Sequence, residues 1–231
     1  MSLSKVTLLA VAATLTFGGA SAFADTLTLG SLGPAFTFSV EVGGTTTAMT
    51  AGGGNDSGSA VIGGNPVTFS AIYCVDLFHD ISSGTYNATF TNTGVVNGST
   101  VNNAAEIAWL IINLSGGATT TTEQEGLQAA IWATEYDGNG TTSPLFTLAS
   151  GQAAILADEN ADLAALGANT GSISAVEWIS PTSGTLKDVT TDQGLVGYVD
   201  APPSVPEPGT LTLLGTGILG IAGLVRRRMS A

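Results

Sequence analysis

Apolar and polar positions alternate with a period of two at both ends of the chain's interior and with a helical period in the middle. Leu27 and Leu29, then Phe36, Phe38 and Val40, alternate with polar neighbours up to Gly43 and Gly44, the pattern of strands with one buried face. Thr45 to Gly64 is rich in Gly and Ser and predicts a long loop or a weak hairpin. Val67 to Ile81 carries the strongest strand pattern. Val67, Phe69, Ala71, Tyr73, Val75 and Leu77 fall on one parity, expected to face the core. Thr68, Ser70, Ile72, Cys74, Asp76 and Phe78 fall on the other, which turns apolar around Cys74 and so needs a cover there. Tyr86 to Phe90 continues the strand pattern after Gly84.

The period then changes. Asn103 and Glu106 have the spacing of a capping box, and Ile107, Leu110, Ile111 and Leu114 recur at helical intervals before Gly116 and Gly117. Thr122 and Glu125 repeat the capping spacing ahead of a stripe of Leu127, Ala130, Ile131 and Thr134. A third helix is predicted from about Gly151 to Leu166, closed by Gly167. Ile173 to Ile179 and Leu195 to Val199 return to strand composition, and no internal repeat is visible. Strands, helices and strands again predict an α+β domain, a mainly antiparallel sheet or sandwich with an inserted helical segment.

The two ends follow different rules. Lys5, the apolar run Val6 to Phe17 and Ala22-Phe23-Ala24 have the order of a cleavable signal peptide over residues 1–24; an uncleaved anchor is the alternative. The globular domain is then expected over 25–201, followed by a sorting tail over 202–231. In that tail Pro206, Glu207 and Pro208 precede about 17 uncharged residues, the lower limit for a membrane-spanning helix, and Arg226, Arg227 and Arg228 follow. This order resembles the PEP-CTERM sorting signal of Gram-negative bacteria. The resemblance implies an exosortase-type processing enzyme as partner, transient residence in the inner membrane, and delivery to the cell surface or extracellular matrix. A simple tail anchor is the plainer alternative.

Composition narrows the partners. Between residues 25 and 201, Lys187 is the only strong cation against 17 acidic side chains, and the whole chain carries a formal charge of −13. Nucleic acid and anionic lipid surfaces are therefore disfavoured partners. The single cysteine, Cys74, has no intramolecular disulfide partner, which excludes a disulfide scaffold.

Three constellations offer chemistry. Cys74 and the only histidine, His79, would make a hydrolase pair, but their odd spacing puts them on opposite faces of a continuous strand. Asp137, Asn139 and Thr141 imitate the start of a calcium loop, yet Thr142 and Leu148 stand where the loop needs glycine and glutamate; a turn is the better reading, and no metal or cofactor is expected. The third joins Tyr73, Cys74, Val75 and Asp76 to the run Gln128, Ala129, Ala130, Ile131 and Trp132.

These two segments resemble the Cys–Gln thioester-forming domains of bacterial surface proteins, over about Ile72 to Asp137. In that family an aromatic-Cys-aliphatic-acidic strand faces a helix bearing Gln-x-Ala-Ile-Trp, and the thiol displaces ammonia from the glutamine. The resemblance implies Cys74 as thiol and Gln128 as acyl partner, with Trp132 one turn further on. It departs at Leu127, where Gram-positive members usually have threonine. Ile72, Phe78, Ile131 and Trp132 are expected to wall a dry pocket, with the helix across the Cys74 face and Asp76 orienting a partner or moving a proton. The expected function is covalent attachment to an amine-bearing surface or matrix target, a single-turnover event rather than enzymatic turnover. The alternatives are a non-reactive structural or biofilm-matrix protein, in which Cys74 is a small core hydrophobe, and, third, a secreted enzyme.

Overall fold

A computed structural model describes residues 24–42, 45–52, 54–137, 145–183 and 192–199. The expected signal peptide up to Phe23 and the sorting tail, with Pro206, Glu207, Pro208, Arg226, Arg227 and Arg228, lie outside the described residues.

In chain order the strands are β1 (Thr26–Leu29), β2 (Ala35–Val42), β3 (Thr45–Gly52), β4 (Gly58–Ile62), β5 (Asn65–Thr68), β6 (Ala71–Cys74), β7 (Gly84–Thr91), β8 (Val95–Val96) and β9 (Ser99–Thr100). Helices α1 (Ala104–Leu114) and α2 (Thr121–Trp132) follow, then β10 (Phe146–Leu148), α3 (Ala153–Leu166), β11 (Glu177–Ser183) and β12 (Leu195–Tyr198). The strand pairings among these elements are antiparallel, so the domain is α+β as the periodicities predict.

The larger sheet has the order β5-β4-β1-β7-β11-β12-β6. Its two edge strands are consecutive in sequence, joined only by Phe69 and Ser70. Phe69 N–H donates to the Gly58 carbonyl on one side, and Ser70 N–H donates to the Tyr198 carbonyl on the other. One bent segment therefore pairs with both ends of the sheet and closes it, while β6 keeps one edge that no strand pairs. The continuous strand expected from Val67 to Ile81 is thus two short strands with a bend, and regular pairing ends at Cys74. A second sheet, β10-β2-β3, lies alongside. The Gly- and Ser-rich stretch expected to be a long loop or a weak hairpin supplies β3 and β4, because the β2 register and the β1 edge each offer it a full ladder.

Two hydrophobic clusters follow from strand parity. Inside the closed sheet lie Leu27, Leu29, Ala60, Val67, Ile72, Cys74, Tyr86, Ile179 and Leu195, capped by Phe36, Phe38, Phe146 and Trp132 with ring centroids 5.0–5.7 Å apart. Outside lie Tyr73, Val75, Trp178 and Val196 under Ile107, Leu110 and Ile111 of α1 and Leu127, Ala130 and Ile131 of α2. All four β6 residues are buried, since both faces of the strand are covered.

The caps differ from expectation. Asn103 sits in a left-handed conformation (φ 51°) without capping α1; its side-chain amide instead donates to the Thr134 carbonyl. The capping box of α2 is Thr120 with Glu123, two residues earlier than Thr122 with Glu125. Glu125 is buried, so it is unavailable to the helix terminus. Gly126 lets α3 approach: a Cβ there would stand 2.5 Å from Asp158 Cβ.

Candidate functional site

Cys74 is the last residue of β6, and its N–H and C=O point in the sheet plane, away from β12. Strand neighbours alternate: Val75 N–H returns to the Gly194 carbonyl on the β12 side, whereas Ile72 and Cys74 need partners on the other side. Ile72 finds the Asn55 side chain and the Asp56 N–H. Cys74 finds Gln128. The Gln128 Oε1 accepts from Cys74 N–H at 2.9 Å, and Nε2 donates to the Cys74 carbonyl at 2.8 Å. The carboxamide thus stands in for one residue of a neighbouring strand, with Gln128 wholly buried and Cys74 3 % exposed. Both polar ends are satisfied, which lets the side chain lie in the core without an unpaired-group penalty.

This geometry corrects the expected placement of α2. The helix runs along the edge of β6 rather than across its Cys74 face, because only an edge presents free backbone groups. Ala129 and Trp132 then reach the Cys74 side, while Leu127, Ala130 and Ile131 reach the Tyr73 side. Of the four expected pocket walls, Ile72 and Trp132 share the Cys74 cluster; Ile131 belongs to the outer one, and Phe78 is 52 % exposed against Tyr136. Tyr73 also points outward, by strand parity, where its hydroxyl is buried without a hydrogen-bond partner.

Asp76 lies past the end of the strand, and its carboxylate is committed elsewhere. It accepts from Phe78 N–H and from the Asn97 amide, and meets His79 Nδ1 at 2.6 Å. His79 is thereby turned to Asp76, and no hydrogen bond among the described residues joins it to Cys74. Of the imitation calcium loop, Asp137 accepts from Phe146 N–H, and residues 138–144 lie outside the described residues. Among the described residues no cluster of three or more His, Cys, Asp or Glu side chains could hold a metal.

Burial pushes the Cys74 thiol well above the ordinary thiol range, and Asp56, Asp76 and Asp80 push it further. The sulfur is therefore a neutral thiol at ordinary pH. The Gln128 carboxamide meets the backbone of the same residue, and Cys74 N–H is a fixed donor on its carbonyl oxygen. A cavity of about 180 Å³ reaches Cys74 from outside, lined by Leu32, Thr50, Asp56, Asp80, Ile81 and Gln193.

Several participants escape sequence reasoning. Tyr136 donates to the Val75 carbonyl at 3.2 Å and accepts from Leu77 N–H at 3.3 Å, extending the backbone bracket past Cys74. Its spacing, four residues beyond Trp132 and eight beyond Gln128, was the available signal; the turn that presents it, Ala133–Asp137, is π-helical. Asp56, Asp80 and Gln193 come from three separate segments, and no spacing rule links them.

Comparison with known proteins bears on the tail. Residues 204–228 match the model of the PEP-CTERM protein-sorting motif. No curated protein and no solved structure matches the chain. This motif marks an exported protein directed through the membrane to an exosortase and the cell surface. The motif belongs to the tail and assigns no chemistry to the domain.

Proposed function

We propose that the exported domain forms an internal thioester between Cys74 and Gln128 and uses it once, to attach the protein covalently to an amine on a surface or matrix partner of a Gram-negative host. The observation that supports this is the double hydrogen bond that fixes the buried Gln128 carboxamide on the Cys74 backbone. Proximity of this kind replaces an otherwise negligible bimolecular reaction. The sulfur adds to Gln128 Cδ, the oxyanion stays on Cys74 N–H, the Cδ–Nε2 bond breaks, and the thiol proton leaves on ammonia. An amine later takes the acyl group and the thiol is restored. No cofactor is required.

The mature protein is then expected to weigh one ammonia less than its sequence, to resist thiol reagents while folded, and to gain methylamine at Gln128. Cys74→Ala and Gln128→Ala each abolish that gain. Full sequence mass with a titratable thiol after unfolding overturns the reading.

A second reading keeps the same contacts without the bond: a structural surface or matrix protein in which Gln128 only completes the edge of β6. The raised Cys74 thiol favours it, since a neutral thiol is a poor nucleophile. The mass measurement decides between them. For the tail, replacing Arg226, Arg227 and Arg228 is expected to trap the precursor in the inner membrane, whereas recovery of surface protein with Met229 intact would show that the tail is not removed.

A further inference from the structure

The polar groups that line the cavity at Cys74 are mostly of one chemical kind. Asp56 is 4 % exposed; one carboxylate oxygen accepts from Gly33 N–H, and the other has no partner among the described residues. Asp80 lines the same cavity, and its side chain makes no hydrogen bond among the described residues. Gln193 donates its amide to the Asp76 carbonyl, which leaves its own carbonyl oxygen as the free polar atom. The polar wall is therefore dominated by acceptors, and among the described residues there is no lysine or arginine to neutralise it. An acceptor wall around a buried, half-satisfied carboxylate is matched by a ligand rich in donors and positively charged. At a share of about 30 Å³ per water, the cavity's 180 Å³ holds about six waters or a short aliphatic chain.

We infer that the cavity selects the amine: a short aliphatic diamine of the polyamine class, with one nitrogen neutral at the Gln128 acyl carbon and the other held as ammonium by Asp56 and Asp80. This rests on the thioester reading. The neutral nitrogen adds to Gln128 Cδ, the bond to the Cys74 sulfur breaks, and the proton lost by nitrogen returns to the thiolate. The second nitrogen takes no part in bond making and contributes only attraction and orientation.

The test uses the mature exported protein and three amines of similar length: 1,4-diaminobutane, butylamine and 4-aminobutanoate. Adduct formation is followed by intact mass at fixed ionic strength, with rates corrected for the neutral fraction of the attacking amine. The diamine is expected to react about tenfold faster than butylamine, the lower end of what local charge focusing achieves, and 4-aminobutanoate slowest. Asp80→Asn, an exposed position, should bring the diamine-to-butylamine ratio close to unity, and Asp56→Asn should do so where the ammonia loss shows that the site still forms. Glu41→Gln, at the far end of the β2–β3 hairpin from Thr50, should leave the ratio unchanged. Ammonia loss with three equal rates overturns the selectivity and leaves the thioester standing. An equal fall of the ratio in Glu41→Gln assigns it to the general negative field and also overturns the cavity. Absence of ammonia loss in the wild type overturns both.

Discussion

Gln128 on α2 and Glu159 on α3 are both buried polar side chains, and their surroundings differ in what sets the cost of burial. Gln128 is wholly buried, neutral, and paired through both its oxygen and its nitrogen with one backbone residue. Glu159 is 8 % exposed, lines a cavity of about 590 Å³, and its carboxyl makes no hydrogen bond among the described residues. Burial, with the nearby Asp137 charge, pushes Glu159 up to about 7. A carboxyl without partners lowers its cost by keeping its proton, whereas an amide with two partners needs no such adjustment. The first arrangement reports pH; the second fixes geometry.

The largest test of this contrast is Gln128→Leu. It keeps the volume and removes both partners of Cys74, leaving a buried N–H and C=O unpaired at about 1–3 kcal/mol each. A loss of about 2–6 kcal/mol in denaturant unfolding is expected, and a loss under 1 kcal/mol would mean that water reaches that edge. Gly126→Ala separates the two sites. Its Cβ meets Asp158 Cβ and the backbone at Glu159, so α3 must shift while Cys74 and Gln128 keep their bonds. Overpacking of this kind costs about 1–3 kcal/mol, and amide exchange should rise in α3 more than at Cys74.

The pH prediction concerns Glu159 and Glu135, whose ordinary value of 4.5 is raised by burial to about 7 and about 9. Each binds its proton more tightly folded than unfolded, so its stabilising contribution is complete below pH 4.5 and is lost as pH rises through the folded value. The domain should therefore lose stability from about pH 5 to pH 9. Glu159→Gln should remove its own share of that slope, which lies below about pH 7, on the order of 1–2 kcal/mol after allowing for solvent access from the cavity, and leave the share of Glu135. Thermal unfolding of both proteins across the range is the measurement, and parallel curves would show Glu159 to be solvated. Cys74→Ala is the smallest expected effect where no bond joins Cys74 to Gln128, about 1 kcal/mol, because the Gln128 bracket holds the backbone and not the sulfur. Under the proposed thioester, the same substitution is expected to abolish amine capture. Stability and chemistry thus depend on different atoms of one residue.

Much of the fold is legible along the chain because the residues that decide it are near neighbours. Leu27 and Leu29, or Phe36, Phe38 and Val40, announce their buried face by parity alone, and Ala153–Leu166 ends at Gly167 as its composition predicts. Resemblance singled out Cys74 and Gln128, which the fold brings together through the Cys74 backbone, and pattern did so only in part. Cys74 stood on a face needing a cover, and Gln128 stood beside a buried stripe. Periodicity places a side chain inside or outside, but it carries no information about which backbone edge is left unpaired.

The sequence alone therefore determined the alternating faces of the strands, three helices, the negative charge and the sorting tail, all properties of local composition and spacing. Tertiary structure decided the rest. The bend at Phe69 and Ser70 joined Asn65–Thr68 to one end of the sheet and Ala71–Cys74 to the other, and so closed it. That closure put Tyr73 and Ile131 outside and Cys74 inside, and left one strand edge for Gln128 to complete. It also gathered Asp56, Asp80 and Gln193 around the thiol. Hydrogen-bond partners at an edge, and charges that meet across a cavity, depend on contacts between segments far apart in the chain, and no local period records them.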